Sequence, residues 1–152
     1  MALDDIYKEV ILDHYKSPRN KRELPGAELQ CHANNPLCGD EITVFAHVQD
    51  DAVAEVTFQG AGCSISQSSA SMMTEAVTGK PVASALELVG EFRGMMAGDV
   101  EPDEDSFGDL VALKGVVQYP IRIKCAVLAW DVLQDALDGA GSASGAEPHT
   151  TA

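Results

Sequence analysis

Positive charge is scarce in this chain. Ten Lys and Arg face 24 Asp and Glu in 152 residues, a formal net charge of -14 at pH 7. Nucleic acid and anionic membranes are bound through basic patches, so neither is an expected partner. Solubility and electropositive partners are favoured instead. Long apolar runs are missing as well, since no stretch approaches the ~20 residues that span a bilayer. The first residues, Met1-Ala2-Leu3-Asp4-Asp5-Ile6-Tyr7, lack the basic start and apolar stretch of a signal peptide, so a cytoplasmic location is expected. There thiols stay reduced, and the four cysteines point to ligation or catalysis rather than to disulfides.

Several familiar signatures are also missing. There is no paired C-x-x-C of the common zinc modules. Gly60-Ala61-Gly62 has no third glycine and is not a dinucleotide fingerprint. The acidic run Asp103-Glu104-Asp105 fails as an EF-hand loop, because Phe107 falls on a ligand position and Lys114 stands where a bidentate Glu is needed.

What remains is one domain over residues 1–138, with a Gly/Ser/Ala-rich tail, 139–152, expected to be disordered. At this length a chain buries roughly 68–70% of its unfolded surface and needs no metal merely to hold a core. Leu3, Ile6, Tyr7, Val10, Ile11 and His14 recur at helical spacing up to Ser17-Pro18. Three alternating segments follow. Ala27, Leu29, Cys31 and Ala33 share one face, as do Ile42, Val44, Ala46 and Val48, and then Val56 and Phe58, with Thr57 facing outward. Asp50-Asp51 reads as a hairpin turn. Helical stripes then cover Ile65 to Ala76, stopped by Gly79 and Pro81, and Val82 to Met96. An acidic loop spans 98–106, and a short helix is predicted over Phe107 to Lys114. A last helix opens at Pro120 and places Cys125, Leu128, Val132 and Ala136 on one face. Strands first and helices afterwards predict an α+β fold, a small three-stranded antiparallel sheet with helices packed on one face.

Three cysteines and an aspartate stand out by context. Cys38 and Asp40 flank Gly39, and on a strand their spacing turns both toward the side of Ile42 and Val44. A buried aspartate is costly unless paired or ligated. Cys63 precedes the Ile65 helix, whose positive end lowers a thiol pKa and which Ser64 or Ser66 could cap. Cys125 follows the cations Arg122 and Lys124, which also favour a thiolate. Three sulfurs and a carboxylate suit zinc or iron–sulfur chemistry, although each cysteine also lies on an apolar face, where a buried thiol is the simpler reading. Cys31 reads as core. His14 and His47 have no evident partner, His32 is exposed by alternation, and His149 lies in the tail.

With these residues in view, the chain resembles the iron–sulfur cluster assembly family typified by IscU, most closely its zinc-binding SufU branch, from the first helix to about Leu137. Asp13-His14-Tyr15-Lys16-Ser17-Pro18-Arg19-Asn20 looks like the family's N-terminal signature. Asn35-Pro36-Leu37-Cys38-Gly39-Asp40, Gly60-Ala61-Gly62-Cys63-Ser64-Ile65-Ser66 and Ile121-Arg122-Ile123-Lys124-Cys125-Ala126 look like its three ligand segments. The departures point to the branch. Lys124 stands where IscU-type scaffolds carry a His, no Leu-Pro-Pro-Val-Lys segment occurs, and Phe107-Gly108-Asp109-Leu110 looks like the SufU insertion.

The resemblance implies one zinc held by Cys38, Asp40, Cys63 and Cys125, supported by Gly39, Arg122 and Lys124. It implies a sulfurtransferase in iron–sulfur cluster assembly. Cys38 would accept persulfide sulfur from a PLP-dependent cysteine desulfurase of the SufS type and pass it to a downstream cluster scaffold. The alternative is a scaffold that itself builds an iron–sulfur cluster on the three cysteines.

Overall fold

The computed structural model describes residues 3–35, 39–99, 101 and 104–141. Helix α1 (Leu3–Lys16) leads into three strands, β1 (Leu29–Asn35), β2 (Asp40–Gln49) and β3 (Ala52–Ala61). Helices α2 (Ser64–Val77) and α3 (Val82–Met96) follow, then a four-residue α4 (Glu104–Phe107), a 3₁₀ segment (Gly108–Gln118) and α5 (Pro120–Gly141). The strands form one antiparallel sheet in the order β1-β2-β3, with the helices packed against it, as expected for α+β. Residues 142–152 of the expected tail lie outside the described residues.

Alternation dictates the inner face. Leu29, Cys31 and Ala33 of β1 and Ile42, Val44 and Ala46 of β2 are buried, with Val56 and Phe58 of β3 beside them. Thr57, expected outward, is buried too, opposite Phe45 in the register. His32 is half-buried rather than exposed. The hairpin turns where it was expected: Asp50 and Asp51 both take positive φ, 53° and 61°, as a tight two-residue turn between twisted strands requires. The free edge of β3 is covered at one end by the α2–α3 connection, where Val53 donates to Lys80 and accepts from Gly79.

Helix α5 crosses β1 and β2 and also packs on α2 and α3. Trp130 is fully buried there, its ring stacked on Phe92 with centroids 4.4 Å apart. Its Nε1 donates to Ser69 Oγ of α2 (3.1 Å), and Ser69 Oγ donates to the Ala126 carbonyl (2.6 Å). This chain of bonds fixes the register of α5 against α2, one residue away from Cys125.

The predicted short helix over Phe107 to Lys114 takes a different form. Gly108 has φ +54°, which no α-helix continues, so α4 ends at Phe107 and an eleven-residue 3₁₀ run follows to Gln118. Leu110, Val111, Ala112, Leu113 and Val116 make it a buried strap over α1 and α5.

Candidate metal centre

Strand pairing builds the first half of the site. The β2–β3 register sets Glu41 opposite Ala61, so the segment after β3 runs past Asp40 at the start of β2. Asp40 is 1% exposed, on the same inward face as Ile42 and Val44. Gly39 before it has φ +70°, a conformation glycine adopts without Cβ strain. The Cys63 N–H donates to Asp40 Oδ1 at 2.8 Å, and the Cys63 Sγ stands 3.8 Å from Asp40 Oδ2.

That approach depends on glycine. A Cβ on Gly62 would lie 2.2 Å from Asp40 Oδ1 and 2.9 Å from its Cα, and φ there is +154°. Gly62→Ala is therefore expected to push Asp40 away from Cys63, lowering zinc affinity about tenfold or more and stability by about 1–3 kcal/mol. Competition with a chromophoric chelator and a metal-free thermal melt measure the two effects; unchanged zinc affinity would refute the close approach.

Helix α2 contributes Cys63 as its own N-cap. The capping residue is neither Ser64 nor Ser66, because the Cys63 Sγ itself accepts from the Ser66 N–H at 3.5 Å. The thiol thus sits at the N-terminus of a fourteen-residue helix. Helix α5 brings Cys125, fully buried one turn after Pro120. The ligand atoms of Asp40, Cys63 and Cys125 all lie within 4.8 Å of one another. Cys38 lies outside the described residues.

Arg122 stands one turn before Cys125. The negative charge of Cys63, followed by a hydrogen bond to Cys125, holds its guanidinium even more firmly protonated than usual. Arg122 is therefore a counter-charge for two sulfurs in a chain short of cations. Lys124 is exposed. Cys31 is a core thiol: burial in the sheet, with Asp135 nearby, pushes its pKa up, which keeps it protonated.

The donor set fits zinc. Zn–S and Zn–O bonds of about 2.3 and 2.1 Å at tetrahedral angles leave sulfur and oxygen about 3.6 Å apart, close to the Cys63–Asp40 separation. Two soft sulfurs with one carboxylate are also the donor types this metal takes.

His14, which has no evident partner in its sequence neighbourhood, has two in the structure. His14 is buried, with Nδ1 2.8 Å from Ser71 Oγ and Nε2 3.2 Å from Asp109 Oδ2. Ser71 Oγ also accepts the Arg19 N–H at 2.8 Å. Ser, His and Asp meet here, but Ser71 is fully buried, so the group acts as a clamp joining α1, α2 and the 3₁₀ strap. His47 likewise pairs with Glu28.

Residues 6–126 match the model of the NifU-like N-terminal domain. The chain is 46% identical over 132 residues to the zinc-dependent sulfurtransferase SufU of Bacillus subtilis, covering 87% of this chain and 89% of that one. The chain belongs to the NifU-like family of iron–sulfur cluster assembly proteins. Within it, the scaffold protein IscU of Streptococcus pyogenes is 39% identical over 141 residues, 93% of this chain and 88% of the other. The fold agrees: the crystal structure of a Fervidobacterium islandicum protein assigned to the SUF system superposes with a TM-score of 0.81 at 35% identity, over 90% of this chain and 99% of that one. Among the described residues no helix is long and apolar enough to cross a membrane.

Proposed function

We propose that this protein is a zinc-dependent sulfurtransferase of iron–sulfur cluster assembly, taking persulfide sulfur from a cysteine desulfurase on Cys38 and handing it to a cluster scaffold. The observation that carries the reading is the convergence of Asp40, Cys63 and Cys125, with Cys38 two residues from Asp40 in sequence, in a chain similar to a zinc-dependent sulfurtransferase. Asp40, Cys63 and Cys125 with Cys38 would hold the zinc, which when bound keeps sulfur ligands deprotonated at neutral pH.

The chain's own part is then nucleophilic. The Cys38 thiolate attacks the outer sulfur of the desulfurase persulfide. A new S–S bond forms on Cys38, the desulfurase S–S bond breaks, and the desulfurase cysteine leaves as a thiolate. Arg122 is the counter-charge beside the sulfurs, and Asp40 holds the Cys63 backbone through its N–H. The PLP belongs to the desulfurase.

The similarity to an IscU scaffold supports a second reading, in which the three cysteines build a cluster. Lys124, in place of the scaffold histidine, favours transfer. Two measurements separate them. Protein purified without oxygen should carry about one zinc per chain, the stoichiometry of a single four-ligand site. Incubation with desulfurase and cysteine should then add about 32 Da, one sulfur, mapped to Cys38, and should raise desulfurase turnover. A brown protein bearing iron and sulfide, with no adduct on Cys38, would establish the scaffold reading instead.

A further inference from the structure

A groove of about 330 Å³ opens beside the metal centre. Lys8 and Ile11 of α1 form one wall, Ile65 of α2 and Arg122 of α5 another, with Val116 and Tyr119 at the end of the 3₁₀ strap between them. Four large hydrophobic side chains are exposed among the described residues, Leu12, Tyr15, Tyr119 and Ile121; of these Tyr119 lines the groove, and Ile121 is the sequence neighbour of its Arg122. Lys8, Ile11, Leu12 and Tyr15 share a helix face by their spacing. Apolar surface collected in one place on a strongly charged chain marks an interaction site.

Charge indicates what fills it. The chain is at -14, yet among the described residues the groove is lined by two cations, Lys8 and Arg122, and by no carboxylate. We propose that the groove receives a segment of a partner protein in which an apolar side chain stands next to a carboxylate. On the sulfur-transfer reading above, on which this step rests, that partner is the desulfurase. A second copy of the chain fits poorly, because two molecules at -14 repel. The chain's own residues 142–152 offer Glu147 but no large apolar side chain.

The groove also communicates with the site. Arg122 is at once its wall and the neighbour of Cys63 and Cys125. A carboxylate that engages Arg122 from the groove competes with the two sulfurs for the guanidinium, so docking would change the charge around Cys63 and Cys125.

Two variants test this without touching a proposed ligand. Gly115 lines the groove, and a Cβ built on it meets nothing within 4 Å, so a side chain can start there and Gly115→Leu narrows the groove. Lys8→Glu reverses one of its charges. Lys80→Glu, by the hairpin at the opposite end of the sheet, is the charge-matched control. Binding of the zinc-loaded protein to purified desulfurase is measured by calorimetry, with zinc content determined in parallel. Gly115→Leu and Lys8→Glu should each raise the Kd about tenfold or more, with Lys80→Glu within about twofold and zinc unchanged. If the wild-type protein binds and both groove variants bind equally well, the groove assignment is wrong while the sulfur-transfer reading stands. If the wild-type protein does not bind the desulfurase, that reading fails and takes this partner with it. Should the wild-type protein prove dimeric and Gly115→Leu dissociate it, a second copy is the occupant and the proposal is overturned.

Discussion

Cys125→Ser is expected to weaken zinc binding by roughly 100- to 1000-fold: a four-ligand zinc site is worth about 10–16 kcal/mol, so one ligand in four carries about 2.5–4 kcal/mol. Cys125 suits this test because it is fully buried on the first turns of the long α5, and serine keeps the side chain's shape. Asp40→Ala is a harsher change, since it also removes the acceptor of the Cys63 N–H. Cys31→Ala supplies the control: Cys31 is equally buried, but its thiol pKa is raised by burial and it lies outside the cluster. Chelator competition on the three variants should rank Asp40→Ala and Cys125→Ser far below wild type, with Cys31→Ala alongside it. Equal affinities for wild type and Cys125→Ser would remove Cys125 from the ligand set and with it the zinc reading of this cluster.

Trp130→Ala is expected to cost about 3–5 kcal/mol of stability, the range for deleting a large buried aromatic. At about 2–4 °C per kcal/mol for a chain of this size, the melting temperature should fall by roughly 6–20 °C. The loss combines the stack on Phe92 with the bond to Ser69. Trp130→Phe keeps a ring to stack on Phe92 but loses the donor and part of the buried indole, so an intermediate loss of about 1–3 kcal/mol is expected there. Because Ser69 also bonds the Ala126 carbonyl, the alanine variant should loosen the α5 register beside Cys125 and lower zinc affinity as well. Thermal melts of metal-free protein separate the packing loss from the metal effect. A shift under about 2 °C for Trp130→Ala would mean that the core does not depend on this contact.

The local features of the fold were legible because period and punctuation are local. Alternation placed Cys31 and Ala33 inward, Asp50-Asp51 turned the hairpin, and the spacing from Ile65 to Ala76 gave α2. Where the reading missed, a partner far along the chain was decisive. His14 finds Ser71 and Asp109, 57 and 95 residues away. The cap of α2 is Cys63, not a serine, because Asp40 on another strand draws the Cys63 N–H and sets its backbone before the helix starts. The strap 108–118 is a 3₁₀ run rather than a short α-helix because Gly108 breaks the chain and buried contacts with α1 and α5 shape the rest.

For the candidate centre, the sequence by itself determined the residue types and their settings: an aspartate at a strand start, a cysteine before a helix, and a cysteine one turn into another. These are set by neighbours a few positions away, through pleat, cap and proline. Only the tertiary structure decided that Asp40, Cys63 and Cys125 meet within 4.8 Å, since the β2–β3 register and the packing of α5 across the sheet bring together groups up to 85 positions apart. It alone placed Arg122 against two sulfurs and at the wall of a groove. Both depend on the crossing of α5, α1 and the strap, and no periodicity encodes how helices cross.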